Sequence, residues 1–272
     1  MHKQHFISGL PRSGSTLLSL LLRQNPSFIA GMTSPVGHLF NSVLTETSMR
    51  HEDAIFINND VRQRLLYSVF TSYYPDVPKN NTAFDTNRMW TTKLSAIDKL
   101  FPQAKVICCV RNPGWILDSI EKLVRDNPYE LSGIFNFEPG GTVYSRADGL
   151  SSPNGMLGFA FNALKEAVFS PNANKLLLLR YETLVKSPMQ SLEAVHQFID
   201  EPMFDYNPNK IDSCHEMEEF DRRLGTPGLH YVKNRVEAKT RQSLLPPDLF
   251  NRHQQEIFWE SPQALPADIT LV

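Results

Sequence analysis

The sequence predicts a single α/β domain with a mostly parallel central sheet flanked by helices on both faces. Strand-like and helix-like segments alternate along the chain, as they do when helices cross over between parallel strands. Two uninterrupted apolar runs, at residues 106–110 and 176–179, are typical of strands buried on both faces. A glycine-containing loop at residues 9–14 lies between the first predicted strand and the first predicted helix.

The first half of the chain supplies three of the predicted strands. Residues 5–8 form the first strand, and the apolar helix at residues 16–24 stops at Asn25-Pro26. Residues 31–37 are rich in loop formers, and the sequence Ser-Pro-Val-Gly at 34–37 predicts a turn. Apolar spacing and runs predict a helix at 61–73, a strand at 82–85, a helix at 91–100 and a strand at 105–110.

The second half continues the alternation. Asn112 can cap a helix that has Pro113 at its first position. Residues 127–153 are rich in Gly, Pro, Ser and Asn, and they predict a long loop. The other predicted elements are a helix at 155–169, a strand at 176–181 and a helix from Ser187-Pro188 to residue 199.

One domain is expected to span residues 1–272. A chain of 272 residues is long enough to bury a core without disulfides or metals. The alternating core covers about residues 5–200, whereas Pro, Gly and polar residues dominate residues 201–272. This last segment is therefore expected to wrap the core.

Composition favours an enzyme of the cytoplasm. The 27 Lys and Arg residues against 29 Asp and Glu give a net charge of −2, which disfavours nucleic acid or an anionic membrane as the main partner. The N-terminus lacks the pattern of a signal peptide, and every apolar run is far shorter than the ~20 residues that span a bilayer. The three cysteines match neither a disulfide framework nor zinc-site spacing. The sequence carries no signal for the oligomeric state.

The most informative segment is the loop GLPRSGST at residues 9–16. A loop that leads into a helix offers backbone N–H groups and the positive end of the helix dipole to an anion. Its hydroxyls and its guanidinium can add hydrogen bonds to phosphate or sulfate oxygens. The alternative is a serine-rich turn that only connects strand and helix. The expected anion site consists of Pro11, Arg12, Ser13, Gly14, Ser15 and Thr16.

The loop departs from the Walker A motif at one position. Gly9 and Gly14 match the Walker glycines, but Ser15 stands where that motif has lysine. That lysine contacts the β- and γ-phosphates of a nucleoside triphosphate. The expected fold is thus a P-loop-type domain whose ligand is not a magnesium triphosphate, with a nucleotide kinase or hydrolase as the alternative.

A second candidate unit follows the strand at 105–110. Arg111 ends this strand where a helix begins, the position at which open α/β sheets bind ligands. Ser119 lies two turns beyond Asn112 on the same side of that helix. The alternatives are a surface ion pair for Arg111, a solvated hydroxyl for Ser119 and a core position for Tyr181 at the end of the last strand.

The chain resembles the sulfotransferases that use 3′-phosphoadenosine 5′-phosphosulfate (PAPS), especially the tyrosylprotein sulfotransferases and their bacterial relatives. The resemblance is carried by GLPRSGSTLL at 9–18, by residues 100–119 and by LRYETLVKSP at 179–188. These three motifs occur in the family's order and span about residues 6–199.

The resemblance implies a donor site with named contacts. The loop would bind the 5′-phosphosulfate, Arg111 and Ser119 the 3′-phosphate, and Tyr181 would lie by the adenine. Lys233 and Arg235 correspond to a late basic loop that often completes this site in the family, unless they form a solvated charge run. Nearby cations could equally attract an acidic acceptor: Arg222, Arg223, Lys239 and Arg241.

The resemblance also implies metal-independent transfer of a sulfuryl group to an acceptor hydroxyl, with release of adenosine 3′,5′-bisphosphate (PAP). Negative charge grows on the oxygen that bridges sulfur and phosphate, so cations placed there carry most of the catalysis. Arg12 fits this role. Arg88 is the nearest cation to the position of a family lysine, although an ungapped match places Thr86 there and an ion pair with Asp85 is the alternative.

The sequence departs from the family at the position of the general base. Tyrosylprotein sulfotransferases use a glutamate shortly after the first helix, but residues 31–35 contain no carboxylate. His38 is the expected substitute because neutral histidine accepts a proton near pH 7. The acceptor is expected to be a protein tyrosine or a small hydroxyl compound, selected by residues 31–44 and 127–153. A binding module without turnover is a further alternative.

Overall fold

The central sheet has six parallel strands. They are β1 (Lys3–Gly9), β2 (Phe28–Ala30), β3 (Thr82–Thr86), β4 (Val106–Val110), β5 (Leu176–Arg180) and β6 (Thr270–Leu271). Their order is β2-β3-β1-β4-β5-β6, with β1 paired to both β3 and β4. The computed structural model describes residues 3–74, 81–212, 215–238, 240–255, 257–261, 265–266 and 269–272, apart from the side chain of residue 215. The prediction of an α/β P-loop-type domain is confirmed.

Helices cover both faces of the sheet, as the sequence predicts. Alternate residues of a strand enter opposite apolar layers, so Phe6 and Cys108 face one layer while Ile7 and Cys109 face the other. The helices are α1 (Ser15–Leu22), α2 (Val36–Glu46), α3 (Asn59–Tyr73), α4 (Leu94–Leu100), α5 (Pro113–Asp126), α6 (Val143–Ser151), α7 (Met156–Val168), α8 (Tyr181–Lys186), α9 (Pro188–Ile199), α10 (His215–Arg223) and α11 (Pro247–Gln254).

The prediction of a long loop at 127–153 is wrong for two segments, which are helical. Residues Gly133–Phe135 form a 3-10 helix, and α6 occupies Val143–Ser151. Thr142 begins α6 with a capping box: its side chain accepts from the Ser145 backbone N–H, while the Ser145 side chain accepts from the Thr142 backbone. The Gly- and Pro-rich residues on either side of α6 favoured the prediction of a loop, although the capping residues Thr142 and Ser145 indicate the start of this helix.

Four other elements also differ from the prediction. Strand β2 and helix α8 are too short to show a recognisable hydrophobic periodicity, so the sequence does not predict them. The turn predicted at 34–37 is the start of α2, with Pro35 in the N-cap position. The helix predicted at 91–100 is divided into a 3-10 helix, Arg88–Lys93, and α4.

The C-terminal segment packs against two parts of the core. Strand β6 pairs with β5 at the sheet edge, where Thr270 lies opposite Leu177. Helix α11 packs on α5, with the rings of Phe250 and Trp115 5.0 Å apart. The division into a core at 5–200 and a wrapping segment at 201–272 stays a prediction.

Candidate active site

Two glycines shape the loop between β1 and α1. Gly9 has φ +107°, and a Cβ there would lie 2.2 Å from the carbonyl oxygen of Cys109 on β4. Gly14 has φ +95° and precedes the first residue of α1. Both conformations favour glycine. The loop thereby stays close to β4 and directs the N–H groups of the first turn of α1 out of the sheet edge.

The predicted hydroxyls of the loop have different roles. The Ser13 Oγ is fully buried, 2.5 Å from the Leu10 carbonyl oxygen and 2.8 Å from that of Cys109, so this hydroxyl holds the loop together. Only the backbone N–H of Ser13 is left to meet an anion. No hydrogen bond from a described residue engages the hydroxyls of Ser15 and Thr16 at the start of α1.

Three of the predicted residues meet directly. The Arg12 Nε donates to Ser119 Oγ at 3.1 Å, and the Arg111 Nη1 donates to the Arg12 carbonyl oxygen at 3.1 Å. Burial, with the neighbouring Arg111 charge, lowers the pKa of Arg12 to about 10, so Arg12 stays charged at neutral pH. Two adjacent guanidiniums with unused donors form a site for an anion.

Tyr181 joins the same cluster. The guanidinium carbon of Arg111 lies 4.2 Å from the centroid of the Tyr181 ring, a cation–π contact. A Cβ at Gly14 would lie 3.1 Å from Tyr181 Cδ2, so glycine lets the loop approach the ring. Arg111 Nε is buried and has no hydrogen-bond partner among the described residues. This orphaned donor is an independent sign that the cluster is completed by a ligand.

Arg88 lies beside the loop through its backbone. Its carbonyl oxygen accepts from the Ser8 Oγ at 3.1 Å, immediately before Gly9. Arg88 is exposed, although desolvation by the surrounding protein lowers the pKa of its guanidinium. No described residue forms a hydrogen bond or ion pair with the Arg88 guanidinium.

The alternative pairing of Arg88 with Asp85 is not found between these two described residues. The buried Asp85 carboxylate instead accepts from Ser34 Oγ at 2.5 Å, Tyr74 OH at 2.8 Å and Trp90 Nε1 at 2.7 Å. Burial raises the pKa of Asp85, although these hydrogen bonds oppose the rise. Asp85 thus anchors the turn before α2 to β3.

His38 and Thr86 differ in their surroundings. The Thr86 Oγ1 donates to the Gly31 carbonyl oxygen at 2.8 Å, so this hydroxyl is engaged within the protein, and the catalytic role of Arg88 stays a prediction. Next to His38, a Cβ at Gly37 would lie 2.5 Å from Asn87 Nδ2. The exposed His38 imidazole therefore lies on a helix that packs beside Arg88, but it forms no hydrogen bond with a described residue.

The late basic residues divide into two groups. Lys233 and Arg235 both pair with Glu237, at 2.6 and 3.5 Å. Arg241 instead pairs with the fully buried Asp118, adjacent to Ser119, and lies 5.3 Å from the Trp115 ring. Arg222 and Arg223 pair with Glu219 on the surface. Lys239 lies outside the described residues.

Sequence reasoning gave Arg241 no specific role at this site. Burial lowers the pKa of the Arg111 guanidinium, and the nearby Arg241 charge acts in the same direction. No local signal separates Arg241 from the other late cations, because its position follows from how the C-terminal segment crosses α5.

An open cavity of about 200 Å³ lies along α5. Ile120, Leu123 and Val124 form its apolar wall, and Thr226 and residues within 127–141 enclose the other sides. The cavity is thus one helical turn beyond Ser119. Part of the segment that was expected to select the acceptor lines it.

Neither a membrane-spanning helix nor a metal-binding cluster is found among the residues that the structure describes. None of their helices is long and apolar enough to cross a bilayer. Likewise, their His, Cys, Asp and Glu side chains form no group of three that could hold a metal ion.

Three solved structures share the fold. The sulfotransferase domain from the curacin biosynthetic pathway has a TM-score of 0.58 and 16% identity, covering 98% of this chain and 95% of that chain. Mouse sulfotransferase SULT7A1 complexed with PAP has a TM-score of 0.51 and 19% identity, covering 96% and 85%. A sulfotransferase from Alicyclobacillus acidocaldarius has a TM-score of 0.50 and 15% identity, covering 81% and 90%.

The family follows from the sequence. A search of curated proteins gave no match. The sequence profile of the sulfotransferase family, however, matches residues 5–205, which include the phosphate loop, Arg111, Ser119 and Tyr181. Because this match covers more than half of the chain, and because the folds agree, the chain belongs to the sulfotransferase family.

Proposed function

We propose that this chain transfers a sulfuryl group from PAPS to an acceptor hydroxyl and releases PAP. The proposal depends above all on the meeting of Arg12, Ser119, Arg111 and Tyr181 at the N-terminus of α1. Two guanidiniums, an orphaned Arg111 donor and helix N–H groups suit a ligand with two separate anionic groups. Family membership and the PAP complex of the mouse protein support the same donor.

Each group of the donor has candidate contacts. The loop N–H groups, Arg12 and the hydroxyls of Ser15 and Thr16 would hold the 5′-phosphosulfate. Arg111 and Ser119 would hold the 3′-phosphate, assisted by Arg241 or by the predicted pair Lys233 and Arg235, and Tyr181 would lie by the adenine.

Catalysis would rest on charge stabilisation without a metal. The acceptor oxygen forms its bond to sulfur in line with the breaking bond between sulfur and the bridging oxygen. Arg12, Arg88 and the loop N–H groups would stabilise the electron pair that stays on this oxygen. No change in their charge is needed, because guanidiniums stay protonated at neutral pH.

The acceptor is proposed to be a hydroxyl compound that enters the cavity along α5. Its apolar wall of Ile120, Leu123 and Val124 suits a ring or an alkyl chain. Both a protein tyrosine and a small hydroxyl compound meet this requirement. A cytoplasmic location and the absence of nucleic acid among its partners are predictions from the sequence.

Thermal stability in the presence of PAP tests the donor site. PAP at 100 times its Kd should stabilise the wild-type protein by about 2.7 kcal/mol, whereas ATP with Mg²⁺ should have little effect. Arg111→Ala should lose the stabilisation, and Arg64→Ala, which removes an exposed arginine of α3, should keep it. Stabilisation only by ATP with Mg²⁺ would instead support a kinase or hydrolase. PAP binding without sulfation of any acceptor would support a binding module.

A further inference from the structure

A histidine and an aspartate form a pair where the C-terminal segment crosses the site. His230 Nδ1 lies 2.5 Å from Asp221 Oδ1, and the His230 backbone N–H donates to Asp221 Oδ2 at 2.7 Å. The Asp221 side chain is 3% exposed and that of His230 18%. The carboxylate therefore fixes the imidazole with its proton on Nδ1 and its lone pair on Nε2. No described residue forms a hydrogen bond with this Nε2.

Helix α10 places Asp221 next to the phosphate loop. Met217 is buried in the same apolar layer as Leu17 and Leu21 of α1, and Asp221 follows one turn later on the same face of α10. Consistently, the Asp221 charge acts to raise the pKa of Arg12 against the effect of burial. The first turn of α1 and the pair thus lie on one side of the sheet.

The segment that leads to His230 packs on helix α5. Gly228 lies against α5, because a Cβ there would be 3.7 Å from Leu123 Cδ2. Leu123 is one turn beyond Ser119, whose hydroxyl accepts from Arg12 Nε. Leu123 also lines the cavity proposed for the acceptor. Gly225 and Thr226, which lie between Asp221 and His230 in the chain, line the same cavity.

We propose that His230 is the general base of the reaction and that Asp221 is its positioning residue; this inference rests on the sulfuryl transfer proposed above. His230 Nε2 takes the proton of the acceptor hydroxyl while the acceptor oxygen forms its bond to sulfur. The bond between sulfur and the bridging oxygen breaks, the electron pair leaves with PAP, and His230 later releases the proton to water. Among the charged groups near the pair, Arg12 interacts with Asp221, and Arg111 lies beside Arg12.

The assignment accounts for the missing glutamate. Residues 31–35 supply no carboxylate, and Asp85, the buried carboxylate beside them, is occupied by three hydrogen bonds. His38 is exposed and has no carboxylate to orient it among the described residues. His230 has both an orienting carboxylate and an unused nitrogen.

The test compares acceptors that differ in their need for a base. Radiolabelled PAPS is supplied with para-nitrophenol, which ionises readily in solution, and with an aliphatic alcohol and a tyrosine peptide, which do not. His230→Gln should lower kcat by about 10²- to 10⁴-fold for the latter two and far less for para-nitrophenol. Asp221→Asn should show the same contrast more weakly, and the exposed neighbour Tyr231→Phe should show none.

The ratio of rates for two acceptors does not depend on how much of a variant has folded, so it remains decisive for an unstable variant. An equal loss for all acceptors, or a loss of PAP stabilisation in His230→Gln, would overturn the assignment and make His230 a structural or donor-binding residue. The acceptor contrast in His38→Gln instead of His230→Gln would also overturn it. A wild-type protein that PAP does not stabilise would overturn the proposed function itself.

Discussion

Gly14→Ala should destabilise the protein, although alanine usually stabilises when it replaces glycine. At φ +95° an L-residue is strained by about 1–2 kcal/mol. The new Cβ would also lie 3.1 Å from side-chain atoms of Leu184 and Tyr181, which must move by a few tenths of an ångström. The matched control is Gly149→Ala in α6, where a Cβ meets no atom within 4 Å and alanine gains about 0.4–1 kcal/mol.

The two glycine variants should therefore differ by about 2 kcal/mol in the free energy of unfolding. At about 2–4 °C per kcal/mol, this corresponds to a difference of about 4–8 °C in Tm, measurable by differential scanning calorimetry. Gly14→Ala should also weaken PAP binding, because it moves the Tyr181 ring and the N–H groups of α1. Equal Tm values for the two variants would refute the reasoning about backbone strain.

Three further substitutions test separate parts of the site. Arg88→Ala should lower kcat by about 10²- to 10³-fold with PAP affinity unchanged, and Arg88→Lys should restore part of it; an equal loss of PAP affinity would contradict a catalytic role. Arg241→Gln should raise the Kd for PAP by about 10-fold or more in calorimetric titration. Arg235→Gln, which removes a surface ion pair, should change this Kd little. A larger effect of Arg235→Gln would instead support Lys233 and Arg235 as contacts of the 3′-phosphate. Asp85→Asn should lower stability by about 1–3 kcal/mol in urea titrations, because an amide nitrogen cannot accept the bonds from Ser34 and Tyr74; an unchanged midpoint would show that the network is dispensable.

The central strands and the donor cluster were predictable because their signals are local. A buried apolar run followed at once by Arg111 and a capped helix identifies a strand end at the ligand-binding edge of a sheet. The phosphate loop is equally local, since two glycines and a cation lie within a few residues of one helix start. What the local signals did not reveal is that Arg12 donates to Ser119, a contact between residues 107 positions apart.

The part of the candidate site that comes from the C-terminal segment was less predictable. Arg241 and His230 lie outside the strands and helices, and Asp221 lies in the short helix α10; the positions of all three follow from packing on α1 and α5. Arg235 and Arg241 have similar neighbours in the sequence but different partners in the structure. Arg235 pairs with Glu237 on the surface, whereas Arg241 pairs with the buried Asp118. Spacing alone cannot separate such residues, since tertiary contacts decide which cation is buried.

The charge balance of the cluster bears on the kind of nucleotide that fits it. The Asp118 carboxylate already interacts with Arg241, Ser243 and the Leu244 backbone, and the Asp221 carboxylate interacts with His230. Neither carboxylate therefore fully neutralises the charge of Arg12 or Arg111. The positive charge left over is local, because the whole chain carries a net charge of −2. A magnesium-bound triphosphate would bring a further cation against these two guanidiniums, whereas a metal-free bisphosphate brings only anionic groups. Since burial disfavours unpaired charge, the arrangement gains most from a ligand with two separate phosphates, which is the charge pattern of PAP.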